Sequence, residues 1–184
     1  LSSVQDNTYL DGAYQIALNG QYAIVGAGSN ITVVDVSVPA SPTVFSHLGM
    51  VDNITDVVLK GNYVYASSQS AQKIFVVDIS DPSTPTLVTT VDNPLLVNTR
   101  DLLISGKYLF SASPNYSDMS QGQVVIYDIG TPSAPVEVSS FNQEGAEFMA
   151  LKGQYLYVTG LYLSVWNLDC DPLIGGGTPP TSGG

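Results

Sequence analysis

The sequence predicts an all-β protein assembled from four copies of one repeat. A strand motif reads ITVVD at residues 31–35, IFVVD at 74–78, VVIYD at 124–128 and LSVWN at 163–167. Upstream of each copy lies a turn motif, NGQY at 19–22, KGNY at 60–63, SGKY at 105–108 and KGQY at 152–155. No segment shows a sustained period of 3.6 residues, so almost no helix is expected.

The spacing of the repeats predicts the architecture. The glycines of the turn motif, Gly20, Gly61, Gly106 and Gly153, are separated by 41, 45 and 47 residues. Repeats of roughly 40 to 50 residues that contain short strands are typical of β-propellers. The sequence therefore predicts a propeller of about four blades, each with four antiparallel strands. The predicted blades lie near residues 13–53, 54–98, 99–145 and 146–172, the last together with residues 1–12.

The second repeat shows how one blade is built. Residues 55–59 are rich in β-branched side chains, and the turn motif after them contains Gly and Asn, which tolerate positive φ. The chain returns as a strand at 63–67, and a third strand follows at 74–79. The prolines of DISDPSTP, residues 78–85, exclude helix and fix a corner before the last strand, 86–91.

The aspartates that end the strand motif, Asp35, Asp78 and Asp128, open this corner. A ring of carboxylates is one interpretation. A turn is favoured, because Asp accepts hydrogen bonds from backbone amides two or three residues ahead. Asn167 in the fourth copy makes the same turn without a charge.

The combination of Gly-Asn/Gln-Tyr turn, I-x-V-x-D strand and D-x-x-x-P-x-x-P corner resembles the LVIVD-repeat family of β-propellers, over residues 13–172. The resemblance implies a propeller, commonly in secreted or cell-surface prokaryotic proteins, and it implies no catalytic residues. The fourth copy departs from the pattern, because Asn167 replaces Asp and residues 168–172 replace the double-proline corner.

The fourth repeat also lacks a last strand, which the other end of the chain could supply. Residues 1–7 align with 88–93 and with 138–142, both last strands of a repeat. We expect residues 1–4 to pair beside the strand 163–167, in the same molecule or in a neighbour, and to close a four-bladed ring. The alternative is that the chain is part of a larger propeller.

Composition excludes several partners. Only 5 Lys and Arg oppose 16 Asp and Glu, for a net charge of −11, and charged residues make up 11%. Nucleic acid and anionic lipid need clustered bases, so neither is expected, and no apolar run is long enough to span a membrane. A Lys-poor, Tyr-rich β protein suggests an extracellular or cell-surface location. Sequons at Asn30, Asn53 and Asn115 are compatible with glycosylation.

The third repeat carries an insertion, residues 114–122, between its second and third strands. Loops carry function more often than strands do, so this loop is a candidate contact for a ligand or a partner. A solvated, tolerated insertion is the alternative. The candidate contact residues are Asn115, Tyr116, Asp118, Met119 and Gln121.

Asp56, Asp101 and Glu147 lie at the starts of the predicted innermost strands, where they would converge. Gln15 and Phe148 occupy the matching positions of the other repeats, so the ring of carboxylates is incomplete and no cofactor is expected. The alternative is Ca²⁺ bound at these carboxylates. His47 is the only histidine and has no nucleophile beside it in the predicted fold. We therefore expect no enzyme, and an acidic-site hydrolase is the least favoured reading.

Cys170 is the only cysteine, which excludes an internal disulfide. It is either an inert thiol near the surface or a candidate for contact between molecules. Residues 173–184 have the Gly and Pro composition of a linker. The sequence predicts a non-catalytic structural or protein-interaction module of a surface protein or filamentous assembly, in contact with protein partners or copies of itself. The alternative is a propeller that binds a small ligand or a glycan.

Overall fold

The computed structural model describes residues 2–68 and 70–168. These residues form fifteen strands in four antiparallel sheets, here called blades 1 to 4. Blade 1 contains β1 (Ala13–Asn19), β2 (Tyr22–Ala27), β3 (Asn30–Asp35) and β4 (Thr43–Gly49). Blade 2 contains β5 (Ile54–Lys60), β6 (Tyr63–Ser68), β7 (Lys73–Asp78) and β8 (Thr86–Asp92). Blade 3 contains β9 (Asp101–Ser105), β10 (Tyr108–Ser113), β11 (Gln123–Asp128) and β12 (Val136–Asn142). Blade 4 contains β13 (Phe148–Lys152), β14 (Tyr155–Thr159) and β15 (Leu163–Asn167).

Within each blade the strands are neighbours in sequence order. The first strand of each blade is innermost, because β5 contacts both β1 and β9, and β9 contacts β13. The blades pack face to face, and the apolar residues of each internal interface form one buried cluster. This arrangement confirms the predicted all-β propeller.

The third strands of blades 1 to 3 supply both faces of the packing. In β3, Ile31 and Val33 are buried against blade 2, and Val34 faces the opposite side. Side chains alternate between the two faces of a strand, so a continuous apolar run suits a strand that is buried on both sides. The strand motif is therefore apolar at nearly every position because it lies between two other layers.

The corner after the third strand forms as the sequence predicts. Asp35 Oδ1 accepts a hydrogen bond from Ser37 N at 2.8 Å, and Asp128 Oδ1 accepts one from Gly130 N at 2.8 Å. Asp78 Oδ1 accepts from both the backbone N and the hydroxyl of Ser80. The prediction that these aspartates build turns is confirmed.

The N-terminal segment, residues 2–12, contains no strand. Val4 and Leu10 pack instead on the face of blade 1 formed by Ala23, Val25 and Val34. The prediction that this segment pairs with β15 is therefore wrong within one chain. The physical reason is that blades 1 and 4 do not cover each other, because Ile16 of blade 1 and Leu163 of blade 4 both stay exposed.

A turn of 3-10 helix, Met119–Gln121, lies in the long loop of blade 3. None of the helical segments in residues 2–68 and 70–168 has the length and apolar composition needed to cross a bilayer.

Candidate functional site

Four side chains from blades 1, 3 and 4 meet where the innermost strands begin. We call Tyr14, Arg100, Tyr116 and Glu147 the axial cluster. Arg100 donates a hydrogen bond to Tyr14 Oη, and its guanidinium carbon lies 5.1 Å from the centre of the Tyr14 ring. Glu147 Oε1 lies 3.9 Å from Arg100 Nε and accepts a hydrogen bond from Tyr116 Oη at 3.3 Å. The cluster thus combines two aromatic rings with one cation and one carboxylate.

A small cavity adjoins the axial cluster. Its volume is about 210 Å³, and Tyr14, Arg100 and Thr55 contribute to its wall. Arg100 Nε is buried and has no hydrogen-bond partner among the described groups. Tyr14 and Tyr116 are each more than half exposed. Sugars and other small polar ligands bind to exposed aromatic rings beside such charged groups.

The loop of blade 3 places only one of its five candidate residues in this cluster, namely Tyr116. Asn115 Oδ1 accepts hydrogen bonds from the backbone amides of Ser117 and Asp118 and so builds a turn. Asp118 Oδ1 accepts from Ser120 N at 3.1 Å and caps the 3-10 turn. The remaining two make other contacts: the Met119 carbonyl accepts a hydrogen bond from Gly145 N in the connection to blade 4, and Gln121 donates one to Ser120 Oγ.

The carboxylates predicted as metal ligands occupy different environments. Asp56 is buried, and its two oxygens accept hydrogen bonds from Val57 N at 2.8 Å and Leu102 N at 2.6 Å. Asp101 Oδ2 accepts one from Met149 N at 2.7 Å. Each aspartate therefore links its own blade to the next blade along the chain.

Burial raises the pKa of Asp56 to about 6, although its two amide hydrogen bonds act in the opposite direction. Burial likewise raises the pKa of Asp101 to about 7, and the nearby charge of Asp56 adds to this rise. Carboxyls with such pKa values are candidates for acid–base chemistry. In this fold the two buried carboxyl groups also accept hydrogen bonds from the backbone of the next blade, so they have a structural role.

Hydroxyl groups also join blades 2 and 3, close to Asp56 and Asp101 in the sequence. Thr55 Oγ1 donates to the Thr99 carbonyl at 2.5 Å, and Thr99 Oγ1 lies 2.8 Å from Ser113 Oγ. Thr55 also contacts Ser67 Oγ at 2.9 Å. These buried hydroxyls satisfy one another, which is the usual condition of polar groups inside a fold.

The structure does not gather the predicted metal ligands. Residues 2–68 and 70–168 contain no group of three or more His, Cys, Asp or Glu side chains arranged around a common point. Glu147 contacts Arg100 and Tyr116 rather than Asp56 or Asp101. Cys170, the predicted intermolecular contact, and the linker at 173–184 lie outside the described residues.

Sequence reasoning missed Tyr14, which contacts Arg100 from 86 positions away. The signal that could have found this pair is positional, because both residues immediately adjoin the start of an innermost strand. Arg100, one of five Lys and Arg residues in the chain, was not among the predicted site residues either.

Comparison with known proteins identifies the repeat. A family model described as the LVIVD repeat matches residues 12–48, 53–93 and 98–143, which are the first three repeats. The fourth repeat lies outside this match, although it folds into the three strands of blade 4. None of the curated proteins compared with the chain matches it significantly.

Solved structures match the fold at low identity. A protein from Lactobacillus plantarum matches with a TM-score of 0.75 and 16% identity, over 92% of this chain and 56% of the other. The periplasmic gluconolactonase of Pseudomonas aeruginosa matches with 0.72 and 20%, over 92% and 56%. The computationally designed Ika4 protein matches with 0.65 and 16%, over 90% and 99%. The chain thus spans about half the length of these two natural structures.

Proposed function

The chain belongs to the LVIVD-repeat family, and from this premise we propose that it is a non-catalytic protein-interaction module that works outside the cell or at its surface. One observation carries the non-catalytic part of the proposal. The two carboxyls with the most suitable pKa values for acid–base chemistry, Asp56 and Asp101, accept backbone hydrogen bonds between blades. They are therefore engaged in holding the propeller together.

The interaction part of the proposal rests on exposed apolar surface. Ile16 and Leu18 of β1 are mostly exposed, and so are Leu161 and Leu163 at the other end of the chain. Contiguous exposed apolar surface is typical of sites where proteins associate. The location outside the cell is supported by the scarcity of Lys and by the sequons.

The name of the Pseudomonas neighbour gives a specific enzymatic alternative to test. Purified protein is incubated with glucono-δ-lactone, and ring opening is followed by acid release. We expect no rate above that of buffer. Turnover at an enzymatic rate that Asp101→Asn abolishes, in a variant that stays folded, would contradict the proposal.

The location is tested separately. Antibody against the folded chain is applied to intact cells of the source organism and to permeabilised cells. We expect equal labelling of both. Labelling that requires permeabilisation would refute the extracellular or surface location and would leave the non-catalytic role untouched.

A second candidate function is the binding of glycans or other small polar ligands. The axial cluster favours it, because two exposed tyrosines adjoin an arginine, a carboxylate and a cavity of about 210 Å³. Glycans that bind on an array should be lost with Tyr116→Ala. The matched control is Tyr155→Ala, an exposed tyrosine at the opposite end of the blade 4 strands. Equal binding by both variants, or no binding by the wild type, would exclude this site.

A further inference from the structure

Blade 1 and blade 4, the first and the last of the described blades, expose two different apolar faces. The front face belongs to blade 1 and is formed by Ile16, Leu18, Ala23, Val25 and Val34. The back face belongs to blade 4 and is formed by Phe148, Tyr155 and Leu163. In blades 2, 3 and 4 the apolar equivalents of the front face pack against the preceding blade, and in blades 1, 2 and 3 those of the back face pack against the following blade.

The front face is exposed where the same positions are buried inside the chain. Ile16 pairs with Val25 as Val57 pairs with Ala66 in blade 2, so the two positions are equivalent. Val57 is 3% exposed and packs against blade 1, whereas Ile16 is 60% exposed. The front face therefore has the chemistry of an internal interface without a blade in front of it.

The back face shows the same contrast. Leu163 begins the strand motif of blade 4, as Ile31, Ile74 and Val124 do in blades 1 to 3. Those three side chains are fully buried against the next blade, whereas Leu163 is 62% exposed. Tyr155 is also exposed, although the equivalent tyrosines of blades 1 to 3 pack into the internal clusters.

The N-terminal segment already occupies the place of an outermost strand on the front face. Leu48 of β4, Val91 of β8 and Phe141 of β12 are equivalent by strand register, and each packs on the blade that follows it. Val4 packs in the same way on blade 1. Residues 2–6 thus lie where the last strand of a preceding blade would pack.

Blade 4 is complementary to this segment, because the described residues give its sheet three strands where the other blades have four. The third strands β3, β7 and β11 each pair with a fourth strand, whereas β15 pairs only with β14 among the described residues. The terminal strands also carry few charges: β1, β14 and β15 contain none, and β13 contains only Lys152. Charged residues on such edges are what normally prevents association.

We propose that two copies of this chain associate head to tail into one closed ring of eight blades. The back face of each copy docks on the front face of the other, and residues 2–6 of each copy become the fourth strand of its partner's blade 4. The ring contains two such contacts between copies. Each one repeats the packing of one blade on the next, which occurs three times within the chain. A head-to-tail contact generates a ring when its rotation closes, and eight blades lie within the usual range of propellers.

The length of the two natural structures described above agrees with a second copy as the partner, since this chain covers 56% of each of them. Two copies supply a comparable length of propeller. A groove of about 670 Å³ between the N-terminal segment and the front face, lined by Val4, Leu10 and Ile16, leaves room for side chains of the partner. The inference deepens the interaction part of the proposed function and rests on it, because it names a second copy as the partner of the same apolar surface. It is independent of the non-catalytic part, because a propeller with catalytic activity could form the same ring.

The mass in solution tests the proposal directly. Light scattering coupled to gel filtration, on the full chain at micromolar concentration, should give twice the monomer mass of 19.4 kDa. A monomer at all concentrations would overturn the proposal, and would point to faces covered by other blades or by another protein. A distribution of longer polymers would overturn the closed ring of two.

Complementation between two variants tests the head-to-tail geometry. Ile16→Asp damages the front face and Leu163→Asp damages the back face, so each variant alone has two damaged contacts and should be monomeric. In an equimolar mixture, one contact joins an intact front face to an intact back face, so a two-copy species should reappear. Dimers of Ile16→Asp alone, or no recovery in the mixture, would overturn the geometry.

The matched control is Leu87→Asp, an exposed leucine on β8 in an internal blade. This variant should keep the wild-type mass, and circular dichroism should show the same β content in all three variants.

Deletion of residues 1–6 tests the strand exchange. It should weaken dimerisation at least tenfold, and an unchanged dissociation constant would refute the role of the segment.

Discussion

Asp56 Oδ2 accepts a hydrogen bond from Leu102 N at 2.6 Å, so a side chain of blade 2 satisfies the backbone of blade 3. Asp101 repeats the contact one blade later, with Met149 N at 2.7 Å. Both aspartates lie near the start of an innermost strand, and the residue that each one contacts lies on the innermost strand of the next blade. The contact therefore connects successive blades close to the axis.

Removal of these carboxylates should loosen the contact between blades. Asp101→Ala leaves Met149 N without its acceptor, and an unsatisfied buried amide costs about 1–3 kcal/mol. We expect a loss of that size in the free energy of unfolding, measured in urea. Gln15→Ala at the equivalent position of blade 1 is the control and should change stability by less than about 0.5 kcal/mol. Equal losses in both variants would contradict the assigned role of Asp101.

The raised pKa values make stability depend on pH. Between about pH 4 and pH 7 the folded chain keeps protons on Asp56 and Asp101 that the unfolded chain releases, so the free energy of unfolding falls as pH rises. For Asp56, a rise in pKa from 3.8 to about 6 corresponds to about 3 kcal/mol.

Asp56→Asn isolates this contribution, because an amide does not ionise. The difference in the free energy of unfolding between variant and wild type should shift in favour of the variant as pH rises from 4 to 7. Urea unfolding at several pH values measures it. Parallel pH profiles for the two proteins would show that Asp56 titrates normally.

The packing of blade 1 on blade 2 depends on a glycine. A Cβ at Gly26 would lie 2.7 Å from Ile54 Cγ2, a stiff and buried side chain. Gly26→Ala should therefore lower the free energy of unfolding by about 1–3 kcal/mol. Gly49→Ala is the control, since a Cβ there meets nothing within 4 Å. A neutral Gly26→Ala would mean that the two blades separate easily.

Blade 4 is held on blade 3 partly by an aromatic pair. The rings of Phe141 and Trp166 have their centres 4.0 Å apart. Phe141→Ala should lower the free energy of unfolding by about 2 kcal/mol, because it leaves Trp166 unsupported. Val136→Ala, at an exposed position of the same strand, should have little effect. Trp166 is the only tryptophan, so its fluorescence reports the transition, and equal midpoints would contradict the prediction.

The sequence predicted the repeats and their corners because both depend on local chemistry. Asp35 makes its turn with Ser37, two residues away, and the pattern that encodes it is visible in the chain. Val4, which aligns with Val91 in sequence, packs on blade 1 as Val91 packs on blade 3, although the prediction made from this alignment was a strand pairing. Pairing of that segment with β15 was not predictable, because it depends on small angles between blades that add up over the whole chain.

The axial cluster was less predictable for the same reason. Tyr14 and Arg100 meet only because the starts of β1 and β9 converge, and neither residue carries a motif. The loop insertion predicted Tyr116 as a contact residue, and the structure places its hydroxyl beside Glu147, a pairing that the sequence did not predict. Asn115 and Asp118 build turns of the loop itself, and Met119 joins the loop to Gly145. A turn-forming Asn or Asp looks the same in sequence whether or not it also contacts a ligand.

The outermost strands of blades 1, 2 and 3 each break register beside the same step of the third strand, at Val33/Val34, Val76/Val77 and Ile126/Tyr127. A bulge of this kind twists an edge strand and removes the flat row of donors and acceptors that another chain could extend. The circumference of the molecule is therefore poorly suited to cross-β growth. Concentrated solutions should resist fibril formation even though nearly all regular secondary structure of the described residues is β-sheet and the chain carries few charges.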